Sequence, residues 1–148
     1  PKDLDKLYLA CKEGGAELSI GSRYVKGVNV VNWPMSRVLL SYFASKYVRI
    51  ITGIPVHDTT AGFACYTKKA LTTLDLNLIK FVGYAFQIEM KFSIWKLGLK
   101  LVEVPIVFTD REKGSSKMSG GIIKEAVWGV ISMKITSFFK SYAKEAKN

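Results

Sequence analysis

Acidic residues are scarce in this chain. Twelve Asp and Glu stand against 22 Lys and Arg, a formal net charge of +10. That surplus points to an anionic partner: nucleic acid, an acidic membrane surface or a phosphorylated substrate. Histidine occurs once, so a histidine general base has only His57 to draw on, and beside Asp58 in a turn a structural role is expected of it. The two cysteines, Cys11 and Cys65, lack metal-site spacing. They are expected as buried free thiols of a reducing compartment, not as a disulfide. No uncharged run approaches the ~20 apolar residues that span a bilayer, and the stretch near the C-terminus covers only residues 126–133. The opening Pro1-Lys2-Asp3-Leu4 reads as the start of a helix, not as a signal peptide. A Gly-rich strand-to-helix phosphate loop is also absent.

What is present is enough for a core. Apolar residues make up 49% of 148, and 23% charged residues are too few for a disordered chain. The length is that of one domain or part of one.

Hydrophobic spacing and breakers predict helices over 3–12, 34–52, 68–74, 84–97 and 119–143. Strands are expected over 16–20, 63–66 and 101–108, with Pro105 marking an edge or bulge. Residues 25–33 form an unusually apolar loop, which suits either a flap over a greasy ligand or packing on its own domain. Alternating strands and helices define an α/β chain. Three strands are few for an independent doubly wound sheet, so part of a larger nucleotide-handling domain is expected.

The polar run His57-Asp58-Thr59-Thr60-Ala61-Gly62-Phe63 breaks this apolar background. A carboxylate and hydroxyls beside a glycine that admits close backbone approach suit a ligand site. Ser22-Arg23-Tyr24 follows the first strand, where an arginine can fork onto a phosphate. Arg37 occupies the first turn of its helix, where the dipole favours an anion, and Ser41 lies one turn further on the same face. Arg23, Arg37 and Ser41 are expected to converge on one phosphate. Gln87 and Glu89 interrupt an apolar helix, so at least one is expected to face the site. Arg111 and Lys117 flank small residues in a loop that can close over phosphates. The last helix sets an apolar, aromatic face among lysines, the pattern of a helix lying on an anionic membrane surface or against core or partner.

Five motifs then occur in order. They are Gly21-Ser22-Arg23-Tyr24-Val25-Lys26-Gly27, Asn32-Trp33-Pro34, Asp58-x-Thr60-x-Gly62-Phe63 and Gly83-Tyr84-x-Phe86-Gln87-x-Glu89. The fifth is Val102-x-Val104-Pro105-Ile106-x-Phe108-x-Asp110-Arg111-x-x-Gly114-x-Ser116-Lys117. Over residues 1 to about 130 the chain resembles the C-terminal half of dolichol-phosphate (polyprenol-phosphate) mannosyltransferases, in glycosyltransferase family 2 with a Rossmann-like GT-A fold.

The resemblance implies sugar transfer, typically from GDP-mannose, to the phosphate of a membrane polyprenol, with inversion at the anomeric carbon. It implies that Arg23, Arg37 and Ser41 hold the lipid phosphate. Asp58 and Arg111 would lie at the reaction centre, and Ser22, Tyr24, Thr60, Gly62, Gln87, Glu89 and Lys117 would line the site or its loops. Residues 1–118 would form the acceptor side of the catalytic domain, and 119–148 an amphipathic surface helix. Mg²⁺ or Mn²⁺ is implied, held by an Asp-x-Asp upstream of this chain, so this sequence alone is expected to be inactive and to supply no metal ligand. The implied setting is the cytoplasmic face of a membrane, peripherally bound, with a membrane-anchoring partner.

A phosphate monoester acceptor, with its second pKa at ~6, is largely dianionic at neutral pH and needs no strong base. Asp58 is therefore expected to position charge, not to abstract a proton. Two alternatives are a non-catalytic membrane-surface or partner-binding module and a basic nucleic-acid-binding domain. No nucleic-acid recognition motif supports the latter, so no nucleic acid is expected.

Overall fold

The computed structural model describes residues 3–109 and 120–144, with the side chains of 120–125 left aside. Among these residues the order is α1 (Leu4–Lys12), β1 (Leu18–Ser22), β2 (Val30–Val31), α2 (Met35–Thr52), β3 (Ala64–Tyr66), α3 (Lys68–Thr73), a 3₁₀ turn (Leu76–Leu78), α4 (Gly83–Lys96), β4 (Leu101–Pro105), β5 (Phe108–Thr109) and α5 (Gly120–Thr136). The fold is mixed α/β, built on a small mixed sheet.

That sheet runs β3-β1-β4, with β1 parallel to β4 and antiparallel to β3. As the central strand, β1 is buried at every position. Leu18 and Ile20 meet the core, each stabilising it by about 1.5–3 kcal/mol. On the opposite side of the strand, the Ser19 hydroxyl donates to the Leu7 carbonyl at 2.8 Å and ties α1 to the sheet. Gly21 is required by close packing: a Cβ there would come within 2.7 Å of the Phe63 ring.

The expected strand over 101–108 is divided. β4 ends at Pro105, which lacks the N–H to continue a ladder. Ile106 donates to Ser22 O at 3.0 Å, and the chain then leaves the sheet. It resumes as β5, parallel to β2 in a separate two-stranded sheet. β2 lies within the apolar 25–33 loop, so that loop packs on its own domain at Val30–Val31. β1 is shifted two residues from its expected place, which puts Arg23 directly after its last residue.

α2 begins after Pro34 and ends where Gly53 takes a left-handed conformation (φ 78) and donates to Arg49 O at 2.8 Å. It buries only Ser45, Val48 and Thr52. α4 behaves differently: from Ile88 to Ile94 every residue is buried. A stretch buried all round leaves its polar side chains only internal partners; Glu89 and Lys91 find them, and Ser93 Oγ makes no hydrogen bond to another described residue.

α5 is shorter than expected. Past Thr136 the carbonyls of Lys134, Ile135 and Thr136 are taken by Ser137 Oγ, Phe138 N and Phe139 N. The chain then folds back along α3. Asp75 N donates to Tyr142 O at 3.0 Å and Lys144 N to Thr73 O at 2.8 Å. Tyr142, expected on a surface helix, instead packs edge-on against Phe92 within the core. Val130 and Met133 of α5 join the same core, whereas Trp128, Phe138 and Phe139 stay exposed. Cys11 and Cys65 are free, but half-buried instead of buried, because they lie where α1 meets the sheet edge at β3.

Candidate active site

The site forms beyond the C-terminal ends of the parallel pair β1 and β4, where α/β sheets place their ligands. Arg23 leaves β1 there and meets Asp58 from the turn after α2. Arg23 Nε donates to Asp58 Oδ2 at 2.7 Å and Nη2 to Oδ1 at 2.6 Å. The Arg23 backbone N–H adds a third bond to Oδ2 at 2.9 Å. Asp58 is fully buried and Arg23 nearly so. Burial works against the guanidinium charge, but the Asp58 hydrogen bonds and charge outweigh it, so the Arg23 pKa is raised. Removing one partner of such a buried pair costs about 3–5 kcal/mol.

An arginine in an acid-poor neighbourhood of sequence therefore finds its acid in space. Nη2 also donates to Thr60 Oγ1 at 3.0 Å, and Thr60 lies 3.5 Å from Ser45 Oγ of α2. Nη1 makes no hydrogen bond to another described residue. Ser22 Oγ accepts from Tyr24 N and Val25 N, fixing the turn that presents Arg23. Gly62 is exposed with an ordinary φ, and a Cβ there would meet nothing within 4 Å. The protein's own packing does not require glycine at that position.

Glu103 of β4 holds the turn from below. Its Oε2 accepts from His57 N at 2.8 Å and faces His57 Nδ1 at 2.8 Å. Its Oε1 accepts from Asp58 N at 2.9 Å. His57 is thus a structural partner of Glu103, as its place in a turn implied. The sequence reading missed Glu103. The signal available was an acid inside a short apolar strand.

The α2 side is aromatic. The guanidinium of Arg37 stacks on the Trp33 ring, 4.0 Å from its centroid, and that of Arg23 lies 5.1 Å from the same ring. Arg23 and Arg37 are thus brought to one indole, and Trp33 is fixed in turn by an edge contact with Phe108. Ser41 is half-buried and faces the Tyr24 hydroxyl, although the geometry falls short of a hydrogen bond. Burial raises the Tyr24 pKa, with Ser41 acting against that rise. Tyr24 also packs edge-on against Tyr42.

Glu89 does not face an open site. It is buried, and its Oε2 accepts from Lys80 N at 2.8 Å and Phe81 N at 2.9 Å, holding the chain that enters α4. The Gln87 side chain is half-buried and makes no hydrogen bond to another described residue. The residue that sequence reasoning missed on this helix is Lys91. It is 0% exposed, and its Nζ donates to Ala61 O at 2.6 Å and Gln87 O at 3.1 Å. Burial lowers its pKa to about 7; Asp58 and Glu103 pull upward, and Arg23 downward. A lysine inside the apolar run of α4 was the sequence signal for it.

Arg111 and Lys117 lie outside the described residues. Among the described residues no group of three or more His, Cys, Asp or Glu could hold a metal ion. With both Asp58 oxygens taken by Arg23, these residues do not fit an implied Mg²⁺ or Mn²⁺. No described helix is long and apolar enough to cross a membrane.

The arrangement defines an α/β domain with a buried ionic cluster and two arginines gathered on one aromatic ring. No family model matches the chain. Over 135 residues, 88% of its length, it is 44% identical to the polyprenol monophosphomannose synthase of Mycolicibacterium smegmatis, covering 51% of that protein. It is 46% identical over 135 residues to the undecaprenyl-phosphate mannosyltransferase of Micrococcus luteus, covering 55% of it. Identity to the dolichol-phosphate mannosyltransferase of Pyrococcus furiosus is 38% over 129 residues, or 34% of that protein. The chain is homologous to polyprenyl-phosphate mannosyltransferases, and it spans about half the length of the first two.

Proposed function

We propose that this chain is the acceptor side, the C-terminal half of the GT-A domain, of an inverting glycosyltransferase that moves mannose from GDP-mannose to a polyprenyl phosphate. The observation that carries this reading is the 44–46% identity to polyprenol- and undecaprenyl-phosphate mannosyltransferases across 88% of the chain. In the reaction a phosphate oxygen of the acceptor attacks the anomeric carbon. The bond from that carbon to the nucleoside diphosphate breaks, and the electron pair leaves with the diphosphate. The acceptor is already ionised, so no residue needs to take a proton.

In this reading Arg37 and Ser41, with the Nη1 edge of Arg23 that bonds no other described residue, meet the acceptor phosphate. Asp58 holds Arg23 in place, while Arg111 and Lys117 close on the reacting phosphates. Rate enhancement then rests on positioning and on fixed positive charge. The nucleotide and any divalent ion would be held by residues outside this chain, so the 148 residues alone do not transfer sugar. Radiolabelled GDP-mannose tests that directly, and turnover by the isolated chain would refute it. Calorimetric titration with farnesyl phosphate against farnesol tests the acceptor assignment. The phosphate is expected to bind and the alcohol not; equal binding would sink the reading.

Docking of the same chain on a membrane surface, in the family's setting its cytoplasmic face, is supported by α2, where Met35, Leu39, Tyr42, Phe43 and Ile50 are exposed. Such a face suits the headgroup boundary beside a polyprenol chain. Co-sedimentation with anionic vesicles should be lost in a Leu39→Ser/Phe43→Ser variant. Retention of full vesicle binding would remove α2 from that surface.

A further inference from the structure

Lys91 is an anomaly of packing. Lysine is almost never fully buried unless paired, yet this one is sealed and its hydrogen-bond acceptors are the neutral carbonyls of Ala61 and Gln87. It forms no ion pair with any described residue. Methionine or leucine would fill the same helix position without the cost of burying an amine. The charged groups acting on it come from each side of the site: Arg23 after β1, Asp58 in the turn, and Glu103 on β4. On its own helix, Glu89 is turned away to the Lys80 and Phe81 amides. The acceptor at 2.6 Å, Ala61 O, lies between Thr60 and the exposed Gly62, so the amine grips the Asp58–Gly62 turn from behind.

We propose that Lys91 is the positioning residue of this site, holding the Asp58–Gly62 turn through Ala61 and setting the charge that an anionic acceptor meets. The proposal rests on the acceptor reading above. Arg23, Asp58 and Glu103 together carry one net negative charge. A protonated Lys91 brings the cluster to neutrality, and a neutral amine leaves it one charge more negative behind Arg37, so that a phosphate dianion is attracted less. Since burial brings the amine to about 7, both forms are populated near neutral pH. Acceptor affinity should therefore fall as pH rises. Ionisation of the phosphate itself, with its pKa at ~6, acts in the opposite direction, so the two effects separate by sign.

The test is calorimetric titration of the 148-residue chain with farnesyl phosphate between about pH 7 and pH 9 at fixed ionic strength. Native affinity should fall by about tenfold. Lys91→Gln, which lacks the charge, should bind at the weak level throughout with no pH slope. Equal slopes in the two proteins would overturn the proposal. Amide hydrogen exchange of ligand-free Lys91→Met supplies a second readout. Residues 59–62 should exchange about tenfold faster than in the native chain, while the amides of β1 stay unchanged. Unchanged protection of the turn would overturn the clamp. If native chain binds farnesyl phosphate at no pH, the acceptor reading fails, and the exchange experiment still decides whether Lys91 holds the turn.

Discussion

Two arginines meet the same indole from opposite circumstances. Arg23 sits in a wired, buried cluster where its fork, the Asp58 carboxylate and the backbone of the turn lock one another. Arg37 is half-buried on the first turn of α2, stacked on Trp33, and Tyr42 and Phe43 are exposed further along the same helix. The two arginines divide the labour. The cluster behind the turn fixes geometry, and the aromatic shelf in front of it is the surface that a ligand can reach. In the first region the loss of either partner of the Arg23–Asp58 pair should damage the fold before it damages binding. In the second a substitution should do the reverse.

The largest expected effect tests the buried side. Asp58→Ala leaves Arg23 buried without its counter-charge and should cost about 3–5 kcal/mol in urea unfolding. A loss below about 1 kcal/mol, the level of a surface ion pair, would erase the contrast between the two regions.

Lys91→Met sharpens the same side through pH. The folded pKa lies near 7, below the ordinary 10.5 of lysine, so the unfolded chain holds the extra proton between those values. Native stability therefore rises with pH across that window, and the burial penalty is fully present below it. The variant should gain on the native chain by on the order of 3 kcal/mol at about pH 6 relative to about pH 10. Unfolding midpoints for both proteins across that range check this. A constant difference would mean that Lys91 does not titrate within the fold.

Arg37→Ala probes the shelf. The variant removes the stack on Trp33, itself worth about 0.5–1 kcal/mol, and farnesyl phosphate affinity should drop about tenfold. Unfolding and titration measured on one preparation separate the two; a large stability loss with unchanged binding would reverse the assignment. His57→Ala should be smallest, within about 1 kcal/mol. The ring is exposed, and the backbone amides of His57 and Asp58 continue to satisfy Glu103.

Much of the fold was legible because its signals are local. Pro34 and Gly53 bracket α2, each through its own backbone chemistry, whereas Pro105, expected as an edge or bulge within 101–108, instead ends β4. The Arg23-Asp58-Thr60 neighbourhood was also nameable, since carboxylate, hydroxyls and arginine stood out from an apolar chain. The end of α5 was not legible. Its helical pattern continues past Thr136, but burial of Tyr142 against Phe92 draws the chain back along α3. Glu89 and Lys91 shared a helix, and sequence gave only one of them a role. Which polar residue faces the turn depends on what packs around α4.

Most helices, the three strands of the main sheet, the basic balance and the kinship with polyprenyl-phosphate mannosyltransferases were readable from sequence, because propensity, charge and motif order are carried by neighbouring residues. Tertiary structure alone decided the pairings. Arg23 reaches Asp58 across 35 positions, Lys91 reaches Ala61 across 30, and His57 reaches Glu103 across 46. No local period encodes such distances. They are set when β1, β4 and α4 exclude water together and each buried polar group must take the partner the packing leaves within reach.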